Sequence, residues 1–221
     1  MRGMPQTSPR PPAVRAFTLP HLEDATGDDL GVDDECEAER FIDIDLTGRD
    51  LMGIKFAECE LENVGLHEAD LRGARFVETR ISRTNSPILS APLSTWRDVA
   101  IDQSRIGSGE LFESNWRSVR FSHCKLGYLN FRSAELTDVE FVDCAIDELD
   151  LGGAKATRVA LAGTSIGSLD VSRANLVDVD LRGAEFSSIR GVDGLRGATI
   201  TELQLAELAP MIASHLGIRV G

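Results

Sequence analysis

The chain has 221 residues, 42% hydrophobic and 27% charged, with a formal net charge of −13. That size and composition suit an ordinary globular fold of one large or two small domains, but the negative charge argues against free nucleic acid or anionic lipid as a direct partner, since both would repel it. No run of about 18 apolar residues could cross a membrane, no apolar signal core follows Met1, and the four cysteines include no Cys-x-x-Cys pair; the expected compartment is the cytoplasm.

Residues 1–16 are rich in proline and arginine, with Pro5, Pro9, Pro11 and Pro12, and are expected to be extended or disordered. Residues 17–40 hold an acidic run from Glu23 to Glu39. They are expected to lead into the main fold and cover its first turn. Cys36 stands five residues before Phe41, in phase with the repeat that starts there, so a ragged extra coil is possible.

From Phe41 the sequence keeps a period of five. Stepping from Phe41 through Leu46, Leu51 and Phe56 to Phe186 gives 30 positions in one register, and only Ser86, Ala91 and Ala156 are not Leu, Ile, Val, Phe or Trp. Those five types make up 63 of 221 residues, so chance would place about nine of them in such a series. Both tryptophans and seven of nine phenylalanines lie in it. Two residues earlier runs a column of small or apolar residues, among them Cys59, Val64, Ala69, Ala74, Cys124 and Cys144, where only Glu39 and Arg49 are charged. A helix repeats at 3.6 residues and a strand at 2. Period five keeps both columns inside only if the chain turns a corner every five residues and successive coils stack.

Segments such as Ala69-Asp70-Leu71-Arg72-Gly73 and Val179-Asp180-Leu181-Arg182-Gly183 carry the motif most clearly, and the chain resembles the pentapeptide-repeat family over about 41–190. The resemblance implies an all-β solenoid, a right-handed quadrilateral parallel β-helix with four pentapeptides per coil. Thirty pentapeptides then make 7.5 coils, a rod of about 36 Å at the usual spacing between strands.

A 20-residue coil stacks residue i on i+20. Phe56, Phe76, Trp96, Trp116, Leu136, Ala156 and Leu176 then form one interior ladder, and Cys124 and Cys144 become neighbours, expected as a buried, reduced thiol pair. Outward positions collect acids. One corner carries Glu58, Glu60, Glu78, Asp98, Asp138, Glu140, Asp178 and Asp180; another carries Asp50, Glu68, Asp70, Glu110, Glu148, Asp150 and Asp170. Such rows serve either as solvated faces that keep the rod soluble or as a surface resembling the phosphate rows of duplex DNA. Ser82–Ser94, with Pro87 and Pro92, is the weakest stretch of the repeat and is expected to form a less regular coil with turns outside the ladder.

After Phe186 the register fails. Thr201-Glu202-Leu203-Gln204 reads as a capped helix start, and Leu205, Leu208, Ala209, Ile212 and Leu216 give a helical apolar stripe. Pro210 is expected to kink or split that helix and Gly217 to end it. A solenoid end needs covering, and family members with such an element use it to pair two rods. Residues 191–221 are therefore expected to be a helical cap, with Leu203, Leu205, Leu208, Ile212 and Leu216 forming a homodimer.

Little suggests catalysis. His21, His67, His123 and His215 lack metal-ligand spacing, and no complete phosphate loop or nucleophile elbow is present. No cofactor is expected, and the chain reads as a non-enzymatic interaction module with a protein partner. Quinolone-resistance members of the family, by resemblance, mimic DNA and bind DNA gyrase, a type II topoisomerase. This chain shares their acidity, rod and C-terminal helix, but has a longer N-terminus and no long loop between coils.

Overall fold

Five-residue corners require a backbone that can bend sharply, and the computed structural model, which describes residues 8–219, shows how this chain bends. The second residue after each central apolar one repeatedly adopts positive φ: in the coil at 58–73 these are Glu58, Asn63, Glu68 and Gly73, with φ between 53° and 69°. Left-handed backbone is costly for residues with a Cβ. Gly73 meets the requirement without that strain, whereas the corners at Glu58 and Glu68 rely on the stacked coils to hold them.

The result is a parallel β-solenoid of about nine turns closed by a single C-terminal helix. Phe56 pairs with Phe76, Phe76 with Trp96, Trp96 with Trp116, Trp116 with Leu136, Leu136 with Ala156 and Ala156 with Leu176. The expected ladder is therefore present. Its ring centroids lie 5.4, 3.9 and 4.4 Å apart from Phe56 to Trp116, with interplanar angles of 19°, 13° and 8°. A second aromatic step, Phe121 on Phe141 at 4.7 Å, fills the neighbouring side. Each ring is buried, so the interior is packed side chain and not a channel.

About nine turns replaces the 7.5 counted from the repeat, because the ends use coils of other lengths. Glu23–Asp24 pairs with Glu39–Arg40, an offset of 16 residues, and Ala198–Thr199 pairs with Val179–Asp180, an offset of 19. Between them, Cys36 stacks on Phe56 at the regular offset of 20.

The stretch 82–94 is where the coil changes type. Asn85–Ser90 is a six-residue strand that opens a six-stranded sheet running to Ala184–Arg190. The expectation of turns outside the ladder is corrected here: the corner at Ile88 is straightened into strand. Pro87 stands in the edge strand of that sheet, the position where a strand tolerates a missing N–H. From Thr95 onward, runs such as Thr95–Asp102 and Asn115–Ser122 carry pairing across two sides of the coil.

At the far end a 3-10 turn, Val192–Leu195, leads to the helix α1, Glu202–His215. Thr201 and Gln204 form the reciprocal cap, Gln204 N donating to Thr201 Oγ1 at 3.1 Å and Thr201 N to Gln204 Oε1 at 2.7 Å. Of the two outcomes expected at Pro210, a split is not seen: α1 is continuous through it. Pro210 and Ala206 are both exposed, so the Ala206 carbonyl that loses its partner faces water. Residues 8–16, expected to be extended or disordered, lie extended against the rod and bond to its outward side chains; residues 1–7 are outside the described part.

Candidate functional site: two acidic corners and a terminal helix

The first acidic corner divides into two columns. Glu58, Glu78, Asp98, Asp138 and Asp178 occupy successive left-handed corners, with Ser118 and Arg158 completing the series. Glu60, Glu140 and Asp180 belong to a strand column shared with Arg40, Arg80 and Arg120. The acids are thus interleaved with bases one coil away. Arg40 Nε lies 3.0 Å from Glu60 and Arg120 Nη2 2.6 Å from Glu140, while Asp180 is met from within its own coil by Arg182 Nη2 at 2.7 Å. Arg158 grips Asp138 with two hydrogen bonds of 2.6 Å.

The N-terminal segment supplies the remaining partners. Arg10 Nε donates to Asp178 at 2.6 Å, and Arg15 lies 3.2 Å from Glu78 and 3.9 Å from Asp98. Of the eight acids read from the sequence, only Glu58 has no basic partner among the described residues. Charge-assisted bonds favour the ionised acid: Asp138 is held below the usual carboxylate range by Arg158 and then by the Ala13 N–H, Asp178 by Arg10, and Asp180 by Arg182. A list of acids alone conceals this neutralisation. The signal was in the sequence all the same, since Arg40, Arg80, Arg120 and Arg158 lie 20 residues from an acid.

The second corner is more open. Asp50, Asp70, Asp150 and Asp170 each accept the N–H of the residue two further on, at 2.8–3.3 Å, which caps the next turn. Asp150 is buried, bound by Arg132 at 2.6 Å and by the Tyr128 hydroxyl at 3.3 Å. Glu148 and Asp170 share Arg190. Asp50, Asp70 and Glu110 have no basic partner among the described residues.

The five apolar residues read as a dimer surface separate on α1. Leu208 is buried on the rod, and Gln204 donates to the Leu181 and Ala184 carbonyls at 2.7 and 2.8 Å, sealing the last coil. Ile212 is partly buried against the same core. Leu203, Leu205 and Leu216 face water with 70%, 51% and 64% exposure. Leu208 thus belongs to the cap. Beside Leu203 a groove of about 510 Å³ opens between α1 and the last coil, with Phe186 and Arg182 on its other wall.

All four cysteines are free and buried. Burial pushes Cys36 up to about 12 and Cys59 up to about 11; the hydrogen bond to Cys144, together with burial, raises Cys124. The described residues contain no group of three or more His, Cys, Asp or Glu side chains placed to hold a metal ion, and no helix among them is long and apolar enough to cross a membrane.

Two profiles of the same repeat match the chain: a pentapeptide repeat region over 114–190, and pentapeptide repeats in eight copies over 40–85. No curated protein sequence matches. Among solved structures, two trypsin-treated variants of QnrB1, a plasmid-mediated fluoroquinolone resistance protein, align at 18% and 15% identity. They cover 90% and 93% of this chain and 96% and 100% of theirs, with TM-scores of 0.37 and 0.38. HetL, a pentapeptide repeat protein involved in heterocyst differentiation regulation from the cyanobacterium Nostoc, aligns at 18% identity over 77% of this chain and 91% of its own, with a TM-score of 0.21. With the repeat matched on both sides of the middle coils and stacked at 20-residue intervals from Glu35 to Arg190, the chain belongs to the pentapeptide-repeat family.

Proposed function

We propose that this chain is a non-catalytic protein–protein interaction module that works as a homodimer joined through α1. The observation that carries the reading is the division of labour on that helix. Gln204 and Leu208 complete the cap, while Leu203, Leu205 and Leu216, which the cap does not use, stay in water, Leu203 beside an open groove. Apolar residues left exposed at a rod end favour a second apolar surface, and an isologous pair would cover both ends at once. Sedimentation equilibrium at micromolar concentration is expected to give a dimer, and Leu203→Glu with Leu205→Glu a monomer. A wild-type chain that sediments only as monomer removes the homodimer.

A second reading concerns the rod's side. An edge carrying Asp50, Asp70 and Glu110 without basic partners among the described residues supports a partner that ordinarily binds a polyanion, such as DNA gyrase or another type II topoisomerase, with the rod in place of DNA. The acids at Glu58, Glu60, Glu78, Asp98, Asp138, Glu140, Asp178 and Asp180 could serve the same partner only where it displaces this chain's own arginines. A supercoiling assay at low salt, where charge attraction is least screened, is expected to show inhibition that Asp50→Lys, Asp70→Lys and Glu110→Lys abolish. Unchanged supercoiling at micromolar protein would exclude this reading.

A further inference from the structure

The corner that the N-terminal segment covers is built to hold a peptide. Its outward column is Glu78, Asp98, Ser118, Asp138, Arg158 and Asp178, one residue per coil. Residues 8–16 run along it from the C-terminal end of the rod toward the N-terminal end. Arg10 binds Asp178 through its backbone N–H, at 3.3 Å, as well as its guanidinium. Ala13 N donates to Asp138 at 2.8 Å, Arg15 N to Ser118 at 2.9 Å, and the Arg15 side chain reaches on to Glu78 and Asp98. Three of these contacts use main-chain N–H groups, so the column recognises extended backbone as well as charge.

The spacing explains the fit. A polyproline II chain rises about 3.1 Å per residue, so the three residues from Arg10 to Ala13 advance about 9.3 Å. Two coils, from Asp178 to Asp138, advance about 9.6 Å. The coil between them presents Arg158, which is not an acceptor and is already committed to Asp138. The two peptide residues between the contacts are Pro11 and Pro12, which have no N–H to satisfy and which fix the extended form in advance. Pro9, Pro12 and Val14 are half-buried, while Arg10 and Arg15 keep exposed stems. Asp98 and Asp138 are only 8% exposed, and Arg15 is the one cation within 4 Å of Asp98 among the described residues.

We propose that this corner is a binding groove for an extended, proline-stiffened peptide with two arginines five residues apart, and that residues 8–16 occupy it as a displaceable strap from the same chain. A tethered ligand is present at high effective concentration, so few exposed ion pairs suffice to hold it, and salt or a better cationic peptide removes it. The inference stands whether or not the rod dimerises or meets a topoisomerase.

The test uses the full chain. Arg10→Glu with Arg15→Glu changes only exposed N-terminal side chains and repels the strap from its seat. A fluorescein-labelled peptide of residues 8–17 is then titrated at low salt by fluorescence anisotropy. It is expected to bind the double variant at least tenfold more tightly than the wild type, and the same peptide carrying both Glu substitutions is expected to bind neither. In wild-type chain the Ala13 and Arg15 amides should exchange at least tenfold more slowly than in the free peptide, and the double variant should lose that protection. Equal peptide affinity for both chains, binding to neither, or unprotected amides in the wild type would each overturn the groove. Protection that falls on dilution would overturn the assignment to the same chain and place the strap on a second copy.

Discussion

Trp96 brings an indole N–H into the centre of the rod, where water is excluded, and Ser94 resolves it. Trp96 Nε1 donates to Ser94 Oγ at 2.7 Å, and Ser94 Oγ donates to the Ala91 carbonyl at 2.6 Å. Trp116 and Ser114 repeat the arrangement one coil later, Ser114 Oγ bonding the Leu111 carbonyl. In both cases the serine stands two residues before the tryptophan, in the column of small or apolar residues. A buried donor stripped of its acceptor costs about 1–3 kcal/mol. Ser94→Ala is therefore expected to lower unfolding stability in urea by about that much, although it removes a single oxygen. A loss below about 0.5 kcal/mol, the range of ordinary surface substitutions, would mean the indole finds another acceptor. The position of these serines was legible from the repeat; their purpose was not, because the five-residue pattern reports size and burial but not which hydrogen bond a particular neighbour needs. The acidic corners show the same limit. Glu58, Glu78, Asp98, Asp138 and Asp178 line up as the 20-residue count predicts, but that they sit on left-handed backbone follows from the turn geometry, not from the spacing.

Helix α1 is an element with two faces and two tasks. Its capping box was readable because Thr201 and Gln204 stand at the required separation. The second role of Gln204, bonding two carbonyls of the last coil, was not readable, since those carbonyls lie 20 and 23 residues away in sequence. Nor was the tolerance of Pro210, which depends on which side of the helix faces water. The faces can be separated by substitution. Leu208→Ala leaves a hole under the cap and is expected to destabilise the rod by about 2–5 kcal/mol, read as a lower urea midpoint, with self-association intact below that midpoint. Leu205→Glu changes an exposed position; its urea midpoint, measured at a concentration where both proteins are monomeric, should shift by no more than about 0.5 kcal/mol equivalent while association weakens. If Leu205→Glu instead destabilises as Leu208→Ala does, the two faces are not independent and the helix acts only as a cap.

At the scale of the whole molecule the rod is a stack in which each coil pairs its strands and packs its core against the coils next to it, so a complete coil should be removable and a fraction of one should not. The period made the middle of the stack readable; it missed the ends because 16- and 19-residue coils keep strand pairing while leaving the five-residue phase. Deleting residues 46–65 takes out one 20-residue coil and joins Asp45 to Leu66. Phe41 is then followed five residues later by a leucine, as before, and Cys36 comes to rest on Phe76 in place of Phe56, which itself pairs with Phe76 in the intact chain. The docked positions from Glu78 to Asp178 are untouched. This variant is expected to fold with a cooperative urea transition and an unchanged parallel-strand signature by circular dichroism. Deleting residues 46–63 instead removes only 18. It sets Val64, Ala69 and Ala74 where Leu46, Leu51 and Phe56 stood, and turns Leu66 and Leu71 into the corner slots of Gly48 and Gly53. That chain should lose cooperativity or open at the junction, because no coil below the break can offer its carbonyls and its apolar column to the coil above at once. If both deletions behaved alike, the coils would not be the units of stability, and the 20-residue stacking of Phe56, Phe76, Trp96 and Trp116 would be an outcome of folding and not what directs it.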